Sequence, residues 1–188
     1  MIFRPGTARD IPGILQLQAL NLVTNLTDQE KQNGFVTTPF TENQLQDLIN
    51  VAGLAVIENA DAIAGYAAAA GWEYFRGRPM FDFMLERFQK LCFQGLRISA
   101  DNSYEYGPIC VEASLRGSDA FVRLFAKSRD LMAGRFTIGT SFINKINQRS
   151  LQAHTRKAQI EIIDEFEFNG NNYYGLAFST GKQDPPQR

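Results

Sequence analysis

The stretch YEYGPICVEASLRGSDAFVRLFAKSRDLM, residues 104–132, decides how the rest of the chain is read. Ile109 to Val111 form a buried strand candidate, and Leu115-Arg116-Gly117-Ser118-Asp119 carry the residues of a tight turn. From Ala120 the apolar period becomes helical, with Phe121, Leu124, Phe125, Leu131 and Met132 on one face. Arg123, Lys127 and Asp130 fall on the other. A strand that turns on glycine into a helix presents unpaired amides at the positive end of the helix dipole, which suits an anion. Many such units bind nothing, so the flanking chain must supply the meaning.

Upstream, Ile2-Phe3-Arg4 is a short strand, and Thr7 or Asp10 can cap a helix with Pro12 in its first turn. Residues 25–41 read as loop with short helical pieces. Its centre, Asn33 to Phe40, holds Phe35 and Phe40 among turn formers, either as a substrate-side loop or as two anchors to the core. Thr41 with Gln44 is a capping-box pattern for a helix that Gly53 stops. Leu54–Glu58 and Ala62–Ala70 pair as a hairpin, and the alanines of the second strand leave room for bulky neighbours. Gly71 to Arg78 read as an irregular bend, and Pro79 opens a helix that looks like an insertion. Downstream, Arg135–Ile143 is a strand and Gln148–Lys157 a helix. Ile160 to Phe168 alternate as a half-buried strand, and Asn169-Gly170 turns it into a partner over 173–180. Residues 1–180 form one domain in this reading, with 181–188 a disordered tail.

Composition excludes little beyond extremes. With 188 residues, 44% hydrophobic, 21% charged and a net charge of −1, the chain gives no electrostatic reason to expect nucleic acid or an anionic membrane. Cys92 and Cys110 read as free buried thiols of a reducing compartment, and no Cys/His cluster suggests a metal. The start has no long apolar run, so a cytoplasmic protein is expected.

Two segments carry a family resemblance. Val111-Glu112-Ala113-Ser114-Leu115-Arg116-Gly117 resembles the strand and pyrophosphate loop of the GNAT N-acetyltransferases, and Asn147-Gln148-Arg149-Ser150-Leu151-Gln152-Ala153-His154 resembles their later segment. There, an asparagine precedes by seven residues a tyrosine or histidine near the acyl-thioester. The opening Phe3-Arg4-Pro5 with Asp10-Ile11 is also similar, so the resemblance spans nearly all of residues 1–180. It implies a mixed α/β (α+β) fold: a mostly antiparallel sheet with splayed parallel middle strands, flanked by helices. It further implies acetyl transfer from acetyl-CoA to a primary amine of a small molecule or amino acid by direct attack on the thioester, without metal. The partner is then the amine, with a homodimer one option for assembly. A non-catalytic acyl-CoA-binding or interaction protein on the same fold is the alternative. Ser114 and Asp119 stand where the family's loop has glutamine or arginine and a small residue, and Ala158-Gln159-Ile160 replaces its later Gly-Phe.

Carried onto this chain, the resemblance implies a cofactor site of Cys110, Val111, Arg116, Gly117, Ser118, Asp119, Ala120, Asn147 and Ser150. Asp119 either caps the helix or faces the phosphates. His154 is the expected proton donor to the leaving thiolate, since an ordinary imidazole titrates near neutrality. Glu105 and Glu112 are the candidate general bases. They lie on opposite strand faces by strict alternation, unless a bulge near Pro108 breaks it. Phe35, Trp72 and Tyr106 are expected to touch the acceptor. Arg76 and Arg78 either hold a substrate carboxylate or lie on an exposed loop.

Overall fold

The computed structural model describes residues 1–31, 34–37 and 39–181. The tail expected at its end lies, beyond Gly181, outside the described residues, as do Asn33 and Thr38 of the loop. The elements run β1 (Ile2–Pro5), α1 (Ile11–Asn21), α2 (Asp28–Lys31), α3 (Glu42–Asn50), β2 (Leu54–Asn59), β3 (Ala62–Gly71), α4 (Trp72–Phe75) and α5 (Pro79–Phe88). There follow β4 (Cys92–Phe93), β5 (Leu96–Arg97), β6 (Ser103–Val111), α6 (Ala120–Met132), β7 (Ile138–Asn144), α7 (Gln148–Gln152), β8 (Glu161–Phe168) and β9 (Asn171–Ser179). Seven strands make one sheet in the order β1-β2-β3-β6-β7-β9-β8, antiparallel except for β6 and β7.

Local chemistry sets most boundaries. Thr41 Oγ1 accepts from the Gln44 amide at 3.3 Å while Gln44 Oε1 accepts from the Thr41 amide at 2.9 Å, the reciprocal cap that starts α3. After α3 the left-handed residue is Ala52 rather than Gly53. Gly53 is required for another reason: a Cβ there would lie 1.8 Å from the Ala69 carbonyl. Asn169 and Gly170 both have positive φ, as a type I′ turn demands.

Both faces of the sheet are covered. Leu124, Phe125 and Met132 of α6 are buried on one face with Ala55, Ala67 and Ala69 and with Tyr104 and Tyr106. Helices α1, α3, α4 and α5 cover the other, where Ala68 and Ala70 meet Trp72, Phe75 and Phe88. The alanines therefore leave space for aromatic rings on both sides. Each large apolar side chain buried this way contributes about 1.5–3 kcal/mol.

Four expectations are corrected. Residues 72–75 form a helical turn, and the insertion continues into the small β4–β5 hairpin. Cys92 is exposed, so only Cys110 is a buried thiol. Trp72 is core: it is buried, donates to Ser103 Oγ at 3.0 Å and packs edge-on to Phe88. The alternation expected along β8 breaks at a register shift between Ile162 and Asp164. Ile162 is consequently exposed, while Asp164 takes a two-pronged contact from Arg87 that ties α5 to the sheet. No helix among the described residues is long and apolar enough to cross a membrane.

Candidate functional site

The site begins where β6 and β7 part. Their pairing covers only Ser103–Glu105 against Ile138–Thr140. Opposite β3, Ala67 pairs with Ile109 but Ala69 pairs with Tyr106, so Gly107 and Pro108 are a bulge facing Ala68 alone. The bulge bends β6 away from β7, and the hydroxyl of Ser141 fills the first gap by donating to the Tyr106 carbonyl at 2.7 Å. Further on, the Glu112 amide donates to the Ala64 carbonyl at 2.9 Å. Strand alternation then turns the main-chain groups of Ile109 and Val111 the other way, into the gap. These are the polar edges that an extended, amide-bearing ligand can satisfy.

Two cavities flank the gap. The first, about 310 Å³, is lined by Ile109 to Val111, by Leu115 to Gly117 and by the helix that starts at Asn147. Arg116, Arg149, Arg156 and Lys157 line it, and among the described residues no carboxylate does. Arg116 folds inward, its Nε donating to the Val111 carbonyl at 3.2 Å and its Nη2 bonding Asn21 Oδ1. Burial holds its pKa below the ordinary arginine value, with Arg149 adding to the effect. The second cavity, about 90 Å³, lies on the other side of the gap against Phe75, Phe81, Phe142 and Tyr173. Phe35, Val36, Ile109, Asn147, Ser150 and His154 line both.

His154 sits at this junction, buried, in a π-helical turn (Ala153–Lys157) that continues α7. Its Nδ1 lies 2.7 Å from the Ser150 carbonyl. A carbonyl only accepts, so Nδ1 carries the proton and Nε2 is left with a lone pair. Burial pushes the His154 pKa down to about 4, which the Ser150 carbonyl only partly opposes. The imidazole is therefore neutral near pH 7, with its one N–H already committed. The donor role expected of it therefore requires that Nε2 first take up a proton.

The phosphate-loop candidates divide. Gly117 has φ +96, and a Cβ added there would meet open space, so backbone conformation rather than crowding requires glycine. Ser118 Oγ donates to the Leu115 carbonyl at 2.7 Å and accepts from the Ala120 amide at 3.1 Å. It thereby caps α6, whose first intrahelical bond runs from the Arg123 amide to the Asp119 carbonyl at 3.0 Å. Asp119 does neither thing expected of it. Its side chain makes no cap, is exposed, and sits 3.8 Å from Arg123 one turn on. Cys110, Val111, Arg116, Gly117, Asn147 and Ser150 line the first cavity, whereas Ser118, Asp119 and the buried Ala120 do not. Burial lifts the Cys110 thiol to about 12, far from a nucleophilic thiolate.

Neither carboxylate expected as a base lines the two cavities. Glu112, just past the end of β6, lines a separate cavity that Arg4, Arg9 and Asp10 also line. Glu105 is fully buried, accepts from Thr140 Oγ1 at 2.9 Å, and has its second oxygen unpartnered. Burial raises its pKa well above the ordinary carboxyl value. The bulge is what defeats the parity argument, since it resets the faces between 105 and 112.

Of the expected acceptor contacts, Phe35 lines both cavities and Tyr106 the second, while Trp72 lines neither. Phe40 is buried, tied to Gln18 by two mutual hydrogen bonds, and also borders the second cavity. Asn147 caps α7 by accepting from the Ser150 amide at 3.2 Å and donates to the Phe35 carbonyl at 3.3 Å. It thus pins the 34–36 segment over the gap. Sequence reasoning missed Arg149, Arg156 and Lys157. The signal was present, three cations within nine residues on the helix that starts at the gap.

Comparison with solved structures identifies the architecture. An N-acetyltransferase from Staphylococcus aureus Mu50 matches at TM-score 0.60 and 15% identity, over 95% of this chain and 98% of that one. A ribosomal-protein-alanine N-acetyltransferase from Brucella melitensis matches at 0.60 and 18%, over 95% and 99%. A GNAT-superfamily phosphinothricin acetyltransferase from Sinorhizobium meliloti, in complex with AcCoA, matches at 0.60 and 17%, over 99% and 92%. No protein-family model and no curated protein matches the sequence. The chain has the GNAT N-acetyltransferase fold, including its mixed sheet with a parallel β6–β7 pair.

Proposed function

We propose that the protein is an N-acetyltransferase that acetylates a primary amine of a small molecule or amino acid with acetyl-CoA. The observation that carries this is the meeting, at His154, of a cation-rich cavity and an aromatic one across the gap between β6 and β7. The residues present fit the cosubstrate. Arg116, Arg149, Arg156 and Lys157 supply positive charge for phosphates, and the Phe121 and Val122 amides precede the first intrahelical bond of α6. The edge of β6 turned into the gap at Ile109 and Val111, where Arg116 already occupies the Val111 carbonyl, suits the amides of a pantetheine arm.

Acetyl-CoA, once bound, supplies the acyl carbon: its bond to sulfur breaks as a bond to the amine nitrogen forms, and the proton lost by nitrogen ends on the thiol. The chain's own contribution is mainly placement. Asn147 holds the Phe35 segment in place where it lines both cavities, which helps to position what binds there. Ser150 holds the imidazole with Nε2 unprotonated, so this atom accepts a hydrogen bond from the attacking amine. A conjugate acid with a pKa near 4 does not keep that proton and passes it on readily.

The first test is binding. Acetyl-CoA at a hundred times its dissociation constant stabilises the fold by about 2.7 kcal/mol, read as a rise in melting temperature. Thiol release over an amine panel then separates a transferase from a binding protein. The absence of both a thermal shift and a calorimetric signal with acetyl-CoA would overturn the reading.

A further inference from the structure

The second cavity has a lining whose chemistry selects among amines. Phe75 and Phe81 stack at 4.3 Å, Phe142 stands edge-on to Phe81 at 5.8 Å, and Tyr173 edge-on to Phe142 at 5.7 Å, forming a continuous aromatic wall. Besides the neutral His154, one ionisable cation lines the cavity, Arg78, and among the described residues no carboxylate does. The Arg78 guanidinium lies 4.9 Å from the Tyr74 ring centroid and 5.5 Å from that of Phe75, and forms no ion pair among the described residues. Two other half-buried arginines meet carboxylates: Arg4 holds Asp10 and Glu58, and Arg87 holds Asp164. A guanidinium placed on aromatic faces at the rim of an apolar cavity is positioned for an anion that comes from outside the chain.

Resting on the transferase reading, we infer that the acceptor is a compact apolar amine carrying a carboxylate, with the carboxylate held by Arg78 and the apolar body against Phe81 and Phe142. Polycationic amines are selected against, because the second charge meets Arg78 and an aromatic wall with no counterion. The size of the cavity points the same way. At about 90 Å³ it is smaller than the ~150 Å³ cavity that accommodates benzene, so it takes a branched aliphatic chain or a single ring with adjustment of its walls.

The test compares amines that differ in one group. L-leucine is set against isoamylamine, L-phenylalanine against phenethylamine, and 1,5-diaminopentane represents the dications. Binding is measured by calorimetry on the full chain, with and without coenzyme A, and turnover by thiol release with acetyl-CoA. The expectation is that the amino acids bind at least tenfold more tightly than their decarboxylated partners and that the diamine is the poorest ligand. Arg78→Gln should raise Kd and KM for the amino acids at least tenfold while changing those of the simple amines less than threefold, with Arg78→Lys intermediate. Melting temperatures of both variants check that the aromatic wall is intact. Preference for the diamine or the simple amines, or an Arg78→Gln variant that treats amino acids as the parent does, would overturn the inference. Amino-acid binding without acetyl-CoA binding would instead uphold it and remove the transferase reading.

Discussion

The two cavities share six lining residues yet are built from opposite chemistry. On one side of His154 the wall is main-chain edge and turn, with four cations around it. On the other it is a run of aromatic rings with one cation at its rim. The difference follows from where each wall comes from in the chain. The first is made by a strand that loses its neighbour and a helix that starts there, so its polar groups are those secondary structure leaves unpaired. The second is made by the insertion around α4 and α5 packed on β7 and β9, so its surface is that of a hydrophobic core left open. A backbone-built wall recognises what many ligands share, and a side-chain-built wall discriminates between them.

The comparison breaks most visibly at the residue common to both sides. His154→Ala should lower turnover about a hundredfold or more, with the acetyl-CoA dissociation constant within about threefold of the parent, as steady-state rates and calorimetry would show. A pure structural role would instead move stability and affinity together. Stability adds an independent readout. The folded pKa of about 4 lies below the unfolded value near 6.5, so between them the unfolded chain binds more protons than the folded one. The contribution of the neutral imidazole is therefore complete above pH 6.5 and is lost as pH falls toward 4, by about 3 kcal/mol. Urea titrations across that window should show the loss in the parent and a flatter profile in His154→Gln. Glu105→Gln should steepen the rise of stability with pH, because burial raises the Glu105 pKa well above the ordinary carboxyl value and the unfolded chain therefore gives up this proton before the folded one does.

This junction also marks how far the sequence was legible. Strand and helix order, the Thr41 cap and the Asn169-Gly170 turn all follow from local patterns, whereas the parting of β6 and β7 is implied only by the family resemblance. Side-chain direction beyond a bulge follows from neither. Glu105 and Glu112 looked equivalent as bases, but Glu105 lies within β6 and is buried in the core, while Glu112 lies just past the strand's end and lines a different cavity. Trp72 failed for a related reason, since a bend and a helical turn of the same four residues aim an indole in different directions. The protonation state of His154 was out of reach as well. It depends on total burial and on a carbonyl four residues back, and neither is written in its neighbours.

A smaller effect is expected on the cationic side. Arg156→Gln with Lys157→Gln should weaken acetyl-CoA binding roughly tenfold at low salt and flatten its dependence on ionic strength, because both side chains are exposed and act through screened charge. Acceptor KM should stay within about twofold, since neither residue lines the aromatic cavity. Equal losses on both sides would mean that the two walls are not independent and that the segment pinned by Asn147 couples them.

The smallest expected effect concerns Asp119, which stands where the resemblance leads one to expect a small residue. A carboxylate beside a pyrophosphate is repulsive if it faces the ligand, and harmless if it faces water. The structure gives it the second position, exposed and 3.8 Å from Arg123, with Ser118 taking over the cap. Asp119→Asn should therefore shift unfolding free energy by no more than about 0.5 kcal/mol, the ordinary worth of an exposed pair near a helix start. Acetyl-CoA affinity should change less than about twofold by calorimetry. A tenfold gain in affinity would place the carboxylate against the phosphates in the bound state. The turn around Gly117 would then rearrange on binding, and the backbone-built wall would be the adaptable one of the two.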